Sequence, residues 1–147
     1  MGSFADSVLA NIAIMKKEVN DQIVDTFIYA AKQTIRYSPS PSNTPRGSPY
    51  AEGELINQWY PAYNSYSTQE TDSKDDNGTA SVARVDELKG KNFFLKKDGM
   101  LSLTNNLLYA VRANERGWLT VDSSRWRNAK PYYMVELGIK DAKAKVG

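Results

Sequence analysis

The chain has neither cysteine nor histidine among its 147 residues. The missing cysteine excludes disulfide bridges, thiolate metal sites and cysteine nucleophiles. The missing histidine removes the usual general base near neutral pH and the commonest metal ligand. Catalysis would have to rely on carboxylates or lysines, and we expect a protein without enzymatic activity, cofactor or metal.

The chain also lacks a large net charge: 19 Lys and Arg nearly balance 17 Asp and Glu, and the net charge is +2. This balance gives no reason to expect nucleic-acid binding through bulk charge. No run approaches the roughly 18 to 20 apolar residues of a membrane span, and the first residues do not resemble a signal peptide. We expect one domain without membrane contact, made in the cytosol or assembled there into a particle.

Apolar residues recur every three or four positions at the start of the chain, which predicts one helix over residues 4–37. The stripe consists of Phe4, Val8, Ile12, Met15, Val19, Ile23, Phe27, Ala31 and Ile35. Ser3 and Asp6 suit a capping box at its start. Pro39 and Pro41 prevent the helix from continuing.

This helix is too long for its own domain. At ~1.5 Å per residue it measures about 50 Å, whereas a compact domain of this size has a radius of gyration of about 15 Å. We expect one end to overhang, or a bend at Asn20-Asp21, where helix propensity is weak. The stripe could still pack wholly on its own domain, or its first part, with Phe4, Val8 and Ile12, could dock on a neighbouring subunit.

The middle of the chain alternates between loops and short regular elements. Four of the six prolines mark residues 38–53 as an irregular loop, and an aromatic-rich segment predicts a strand over residues 54–60 or as far as 65, with Pro61 on an edge. The polar residues 67–78 are expected to form a mobile surface loop. Asp72, Asp75 and Asp76 in that loop lack the ligand spacing of a calcium loop.

A short helix and a hairpin are predicted next. Val82, Val85 and Leu88 indicate a helix over residues 79–88, with Thr79 as its N-cap and Gly90 at its C-terminal end. Asp98-Gly99 between two strand-like segments, residues 92–97 and 100–105, predicts a hairpin with a type I′ turn.

The last third is predicted to hold a loop over residues 111–130, with Trp118 and Trp126, and a helix over residues 131–146. Pro131 suits the first turn of that helix, the lysines near its end suit the helix dipole, and Gly138 weakens its middle. We therefore expect an α+β fold, in which a small, mostly antiparallel sheet is covered by the first and last helices.

No catalytic motif stands out. The carboxylate pairs Glu52 with Glu54 and Asp75 with Asp76 could serve glycoside hydrolysis, but nothing in the sequence fixes their separation. A glycine-rich phosphate loop, a serine nucleophile elbow and a metal-ligand cluster are all missing.

Three segments resemble, in order, the neck or tail-completion proteins of long-tailed bacteriophages. The first is Ser48-Pro49-Tyr50-Ala51-Glu52-Gly53-Glu54-Leu55-Ile56-Asn57-Gln58-Trp59, in which Ala51-Glu52 replaces the family's Asp-Thr. The second begins Asn105-Asn106-Leu107-Leu108-Tyr109-Ala110 and continues to Glu115 and Gly117-Trp118. The third is Arg127-Asn128-Ala129-Lys130-Pro131, followed by the terminal helix.

The resemblance implies a structural virion protein that forms a ring between the tail tube and the connector. Sixfold symmetry of this ring is what the family leads us to expect. Its partners would be further copies of itself and other neck, connector, tail-terminator or tail-tube proteins. The motif residues implied to be structural are Gly53, Leu55, Trp59, Asn105, Asn106, Tyr109, Ala110, Glu115, Gly117 and Trp118. Taken by themselves, Tyr109, Glu115 and Trp118 are ordinary structural residues. A small interaction module acting as a monomer or dimer and a carboxylate-type hydrolase are the alternatives.

Overall fold

Four α-helices, a short 3₁₀ helix and a two-stranded sheet are found in the part of the chain that the computed structural model describes, residues 3–40, 52–95, 99–107, 110–116 and 131–146. In chain order they are α1 (Phe4–Arg36), the 3₁₀ helix (Leu55–Asn57), β1 (Trp59–Tyr63), α2 (Thr79–Asp86), β2 (Leu101–Asn105), α3 (Ala110–Arg116) and α4 (Met134–Val146). The predicted α+β class, with an antiparallel sheet beside a long first helix and a C-terminal helix, is confirmed.

Helix α1 begins at the predicted capping box. Asp6 N donates to Ser3 Oγ and Ser3 N donates to Asp6 Oδ2, both at 3.1 Å. The helix then continues without interruption past Asn20-Asp21. Asn20 does not break the helix but fastens it to the domain: Asn20 Nδ2 donates to Lys91 O, and Asn20 Oδ1 accepts from Phe94 N, both at 2.9 Å.

The core lies against the second half of α1. Val24, Ala31 and Ile35 are almost fully buried there. The other buried members of this core are Ile28, Leu55, Ile56, Trp59, Val85, Leu88, Ala110, Ala113 and Met134. Burial of apolar surface is the dominant favourable term in folding, so the body of the domain is built around roughly the last five turns of α1.

The predicted hairpin is wrong in its first strand. Strand β2 pairs antiparallel with β1, with Trp59 opposite Asn105 and Tyr63 opposite Leu101, and residues 92–95 form no strand. Phe93 instead packs on Tyr63, with ring centroids 4.8 Å apart, and its carbonyl accepts from Tyr63 Oη at 2.9 Å. The backbone groups of this segment therefore find side-chain partners, and β2 takes β1 as its neighbour.

Pro61 fits β1 because of which way its nitrogen points. Asn64 N donates to Met100 O, at the end of the ladder. Since alternate residues of a strand face opposite edges, residues 60, 62 and 64 face β2, and residues 59, 61 and 63 face away from it. Trp59 N confirms this by donating to Ser81 Oγ of α2 at 3.0 Å. A proline at position 61 thus removes no ladder hydrogen bond, as expected for an edge.

Three further boundaries differ from the predictions. The strand expected from residue 54 starts only at Trp59, because Asn57 N donates to Glu54 O and Gln58 N to Leu55 O, both at 3.1 Å, and these backbone bonds close a 3₁₀ turn instead. Asn57 Nδ2 also donates back to Gly53 O at 2.7 Å. The N-cap of α2 is Gly78, with φ of 66°, and Thr79 is the first helical residue. Helix α3 occupies residues 110–116, where a loop was predicted.

Helix α4 packs along the second half of α1. It begins at Met134, so Pro131 precedes the helix and does not lie in its first turn. Tyr37 Oη donates to Asp141 Oδ2 at 2.8 Å and ties the C-terminal end of α1 to the middle of α4. This hydrogen bond raises the pKa of Tyr37 above its ordinary value.

Several sequence predictions lie outside the described residues. They are most of the proline-rich loop (residues 41–51), the Asp98 half of the hairpin turn, Tyr109, and the segment of residues 117–130 with Gly117, Trp118 and Trp126.

Candidate functional site

Four of the motif residues that the structure describes meet where the 3₁₀ helix, the sheet and α3 join: Leu55, Trp59, Asn105 and Ala110. Leu55 and Trp59 are buried, and Ala110 at the start of α3 is buried beside them in the same core. Asn105 Nδ2 donates to Leu55 O at 3.0 Å. Asn106 Nδ2 donates to Ser67 O at 2.8 Å and to Gln69 O at 3.1 Å.

These contacts explain why asparagines follow β2. Each side-chain amide supplies the hydrogen bond that the backbone lacks once the strand has ended, and a buried carbonyl without such a partner is costly. Asn105 Oδ1 also accepts from Leu107 N at 3.2 Å, which turns the chain toward α3. Asn105 and Asn106 therefore help to hold the domain together. Glu115 is exposed on α3.

Gly53 is required by space as well as by backbone conformation. Its φ is +81°, a region that L-residues with a side chain rarely adopt, and a Cβ at this position would lie 2.3 Å from Asp75 O. The turn before the 3₁₀ helix and the loop before α2 therefore touch backbone to backbone at this glycine.

Asp75 is the polar centre of that contact. Its Oδ1 accepts from the backbone N–H groups of Asn77, Gly78 and Thr79, at 3.1, 2.7 and 3.1 Å. Burial alone would raise the pKa of Asp75, but hydrogen bonds from Thr79, Asn57 and Asn77 outweigh it and hold this pKa below its ordinary value. An anion at a helix N-terminus is also favoured by the helix dipole. Asp75 thus caps α2 from outside the helix.

The polar loop of residues 67–78 is more firmly attached than the sequence indicated. The buried side chain of Gln58 exchanges two hydrogen bonds with the backbone of Thr71, accepting from its N–H at 3.0 Å and donating to its carbonyl. Asn57 Nδ2 donates to Asp75 O in the same loop at 3.3 Å. The side-chain amides of Asn57 and Gln58 therefore attach the loop to the domain. At these points the loop needs no neighbouring subunit to be ordered.

The carboxylate pairs considered for catalysis have structural partners. Glu52 forms an ion pair with Lys74 at 2.7 Å, and the hydrogen bond from Lys74 lowers the pKa of Glu52. Asp75 is committed to the cap of α2. Across the described ranges, no group of three or more acidic residues is placed to hold a metal ion.

The outer half of α1 is the most unusual surface of the molecule. No residue from Ser3 to Val19 is buried, and Asn20 is the first residue of the helix that is. At ~1.5 Å per residue, the arm, defined as residues 4–19, projects by about 24 Å. The predicted overhang is therefore confirmed. We name the arm's large exposed side chains together: Phe4, Val8, Leu9, Ile12, Ile14, Met15 and Val19.

A second apolar surface lies between α1 and α4. It is an open groove of about 640 Å³. We call it the α1/α4 groove; its lining is Gln22, Ile23, Thr26, Phe27, Ala30, Ile139, Ala142, Lys143 and Val146. Ile23 belongs both to this lining and to the stripe that starts at Phe4, so the apolar face of the arm leads directly into the groove. Ile139 and Val146 are exposed on its α4 side.

Sequence reasoning missed the buried amides and one glycine. Asn20, Asn57 and Gln58 are each at most 1% exposed. In the sequence, each of them is a polar residue beside positions of an apolar pattern, and this is the signal that could have identified them. Gly138 was taken as a weak point of the last helix. A Cβ there would lie 2.3 Å from Thr34 Oγ1 and 2.9 Å from Ala30 O, so this glycine lets α4 approach α1 closely and thereby shapes the groove.

Comparison of the chain with models of known protein families, with curated proteins and with solved structures finds no match. Among the helices in the described ranges, none combines the length and the apolar character needed to cross a bilayer.

Proposed function

We propose that this protein is an assembly subunit of a virus particle, a ring-forming component of the head-to-tail junction of a long-tailed bacteriophage. The observation that supports assembly most directly is the arm. A capped helix that projects about 24 Å with large apolar side chains in water is what remains when one partner of an interface is taken away. Contiguous exposed apolar surface on a soluble protein usually marks a partner site.

The junction role itself rests on the resemblance of the motif segments. Their described residues carry structural tasks here: Gly53 allows a close backbone approach, Asn105 bonds to Leu55 O, and Trp59 fills the core. Such tasks suit a small body that positions an assembly arm. A ring requires a heterologous contact repeated around a rotation axis, and sixfold order is the proposed stoichiometry.

The proposal is tested by replacing Phe4 and Val8 with serine. These side chains are 86% and 38% exposed, so the double variant should melt like the unchanged protein. It should fail to form rings in vitro, measured by mass in solution and by electron microscopy, and should fail to join tails to heads in infected cells. Mass spectrometry should find the unchanged protein in purified particles.

Two results would contradict the proposal. Unfolding of the Phe4/Val8 variant without a separate assembly defect would make the stripe ordinary core. Absence of the protein from purified particles, with a monomeric or dimeric mass in solution, would favour the alternative of a small interaction module.

A further inference from the structure

We infer that Asn77 is a latent site of deamidation, and that Asp75 protects it in the folded protein. This inference is independent of the proposed assembly role. It concerns the peptide between Asn77 and Gly78 in front of α2, which is the one Asn-Gly pair in the chain. Glycine has no side chain, so its nitrogen has the least hindered access to the side chain of a preceding asparagine. This pair is therefore the chain's most reactive asparagine sequence.

The reaction consumes water and releases ammonia, and it needs no other reactant. The Gly78 backbone nitrogen loses its proton, attacks Cγ of the Asn77 side chain and forms a bond to this carbon. The side-chain nitrogen takes up a proton and leaves as ammonia, and a five-membered succinimide ring remains. Water then adds to one of the two ring carbonyls and breaks its bond to the ring nitrogen. The product is either aspartate, with the ordinary backbone, or isoaspartate, in which the backbone runs through the former side chain.

The side chain that would be attacked is open. Asn77 is exposed, and within the described residues its side chain takes part in no hydrogen bond. Its reactive neighbour is fixed by the fold, because Gly78 has a φ of +66° and a Cβ there would lie 2.8 Å from Ile35 Cγ2 and 2.9 Å from Ile56 O. The structure therefore requires a glycine at the position that makes Asn77 most reactive.

The nitrogen that would attack is restrained. Gly78 N donates its hydrogen to Asp75 Oδ1 at 2.7 Å. Loss of this proton would place a second negative charge beside the carboxylate, and a nearby like charge disfavours ionisation. The same carboxylate oxygen accepts from Asn77 N and Thr79 N, both at 3.1 Å, so the neighbouring peptide groups are held as well. The nitrogen becomes available only when this cap opens locally.

The isoaspartate product would not fit the cap again. Its backbone is longer by one carbon–carbon bond, about 1.5 Å. Gly78 cannot absorb such a displacement while it lies against Ile35 and Ile56 and donates to Asp75 at 2.7 Å. Formation of isoaspartate at Asn77 is therefore expected to separate the cap from the N-terminus of α2, whereas aspartate with the ordinary backbone leaves it in place.

The test follows the reaction in the whole protein. Mass spectrometry of the fragment that contains residues 77 and 78 detects the change from amide to acid, and chromatography separates aspartate from isoaspartate. Each protein is incubated at mildly alkaline pH, once folded and once unfolded in urea. Asp75→Ala removes the acceptor of the Gly78 hydrogen bond. Asp72→Ala is the matched control, because it removes the same charge from an exposed position of the same loop. Circular dichroism verifies the fold of both variants.

We expect the parent protein to deamidate at Asn77 at least about fivefold more slowly when folded than in urea. Folded Asp75→Ala should react about fivefold faster than the folded parent, which is the factor by which loss of a helix cap shifts a local equilibrium. Asp72→Ala should react like the parent. In urea the three proteins should react at the same rate, because no cap exists there.

Each part of the inference can fail separately. No deamidation at Asn77 in urea would overturn the site itself. Equal rates for the folded and the unfolded parent would overturn the protection, and this comparison requires no variant to fold. A folded Asp75→Ala protein that reacts at the rate of the parent would overturn Asp75 as the source of protection.

A second measurement tests the consequence for α2. The isoaspartate form, separated from the incubated parent, should unfold at a lower urea concentration than Asn77→Asp, which carries the same charge on an ordinary backbone. Equal urea midpoints for these two proteins would contradict the separation of the cap.

Discussion

At Gly138, α4 lies close against α1, and replacing this glycine with alanine perturbs that contact by a single carbon atom. The added Cβ would meet Thr34 Oγ1 at 2.3 Å and two backbone atoms, Ala30 O and Thr34 N, at 2.9 Å. The hydroxyl of Thr34 can rotate, although it donates to Ala30 O at 2.9 Å. The backbone atoms cannot move without displacing α1, so α4 has to shift outward.

Two opposing effects set the size of the change. Alanine is favoured over glycine inside a helix by about 1 kcal/mol. Forcing an extra methyl group into a closely packed contact costs about 1–3 kcal/mol. Because two of the three close atoms belong to the backbone, we expect the second effect to win and the free energy of unfolding to fall by about 1 kcal/mol. For a chain of this size that lowers Tm by about 2–4 °C.

The assay is urea unfolding of Gly138→Ala beside Ala144→Gly, which exchanges the same two residue types at an exposed position of α4. The Ala144 variant measures helix propensity alone and should lose about 1 kcal/mol. Thr34→Ala combined with Gly138→Ala should recover part of the loss, because it removes the nearest atom. A Gly138→Ala protein more stable than the parent would refute the close approach, and would return Gly138 to the weak point that the sequence suggested.

Two further predictions concern the junction around the 3₁₀ helix. Trp59→Ala should lower the free energy of unfolding by about 3–5 kcal/mol, because Trp59 is only 5% exposed. Trp59→Phe should cost at least about 1 kcal/mol, because it loses the indole hydrogen bond to Ser38 Oγ at 2.8 Å and part of the buried ring. An unchanged urea midpoint in Trp59→Ala would place the ring on the surface. Asp75→Ala should cost about 1 kcal/mol or more at pH 7, as for other lost helix caps. Since the folded pKa of Asp75 lies below its ordinary 3.8, its stabilisation is complete above about pH 4 and is lost as the pH falls through the folded pKa; a gap between Asp75→Ala and the parent that stays constant down to pH 2 would contradict this.

Much of the helical structure could be predicted because its signals are local. The stripe from Phe4 to Ile35 repeats at the helical period, Ser3 and Asp6 form a capping box, and Pro39 ends the run; each of these depends on residues at most four positions apart. The length of the helix, about 50 Å, predicted either an overhang or a bend at Asn20-Asp21, and did not decide between them. The α+β class followed from the same patterns together with the strand-like segments.

The pairing of strands could not be predicted in this way, because it depends on competition between distant segments. Asp98-Gly99 favoured a hairpin between neighbours, yet β1, some forty residues earlier, pairs with β2. The aromatic segment at Phe93 forms no strand, because its backbone groups are hydrogen-bonded to the side chains of Tyr63 and Asn20. A turn signal measures only the local preference, which tertiary contacts can override.

The sequence by itself determined a long capped helix, the absence of thiol and imidazole chemistry, and a body too small to cover that helix. Only the tertiary structure decided which half of the helix is covered. The covered half begins at Asn20, since this residue bonds to Lys91 and Phe94 from a segment more than seventy residues away. It also decided that Gly138 faces Thr34, which brings α4 close to α1 and forms the groove. The physical reason is that burial and close approach belong to pairs of segments, whereas helical periodicity belongs to one segment alone.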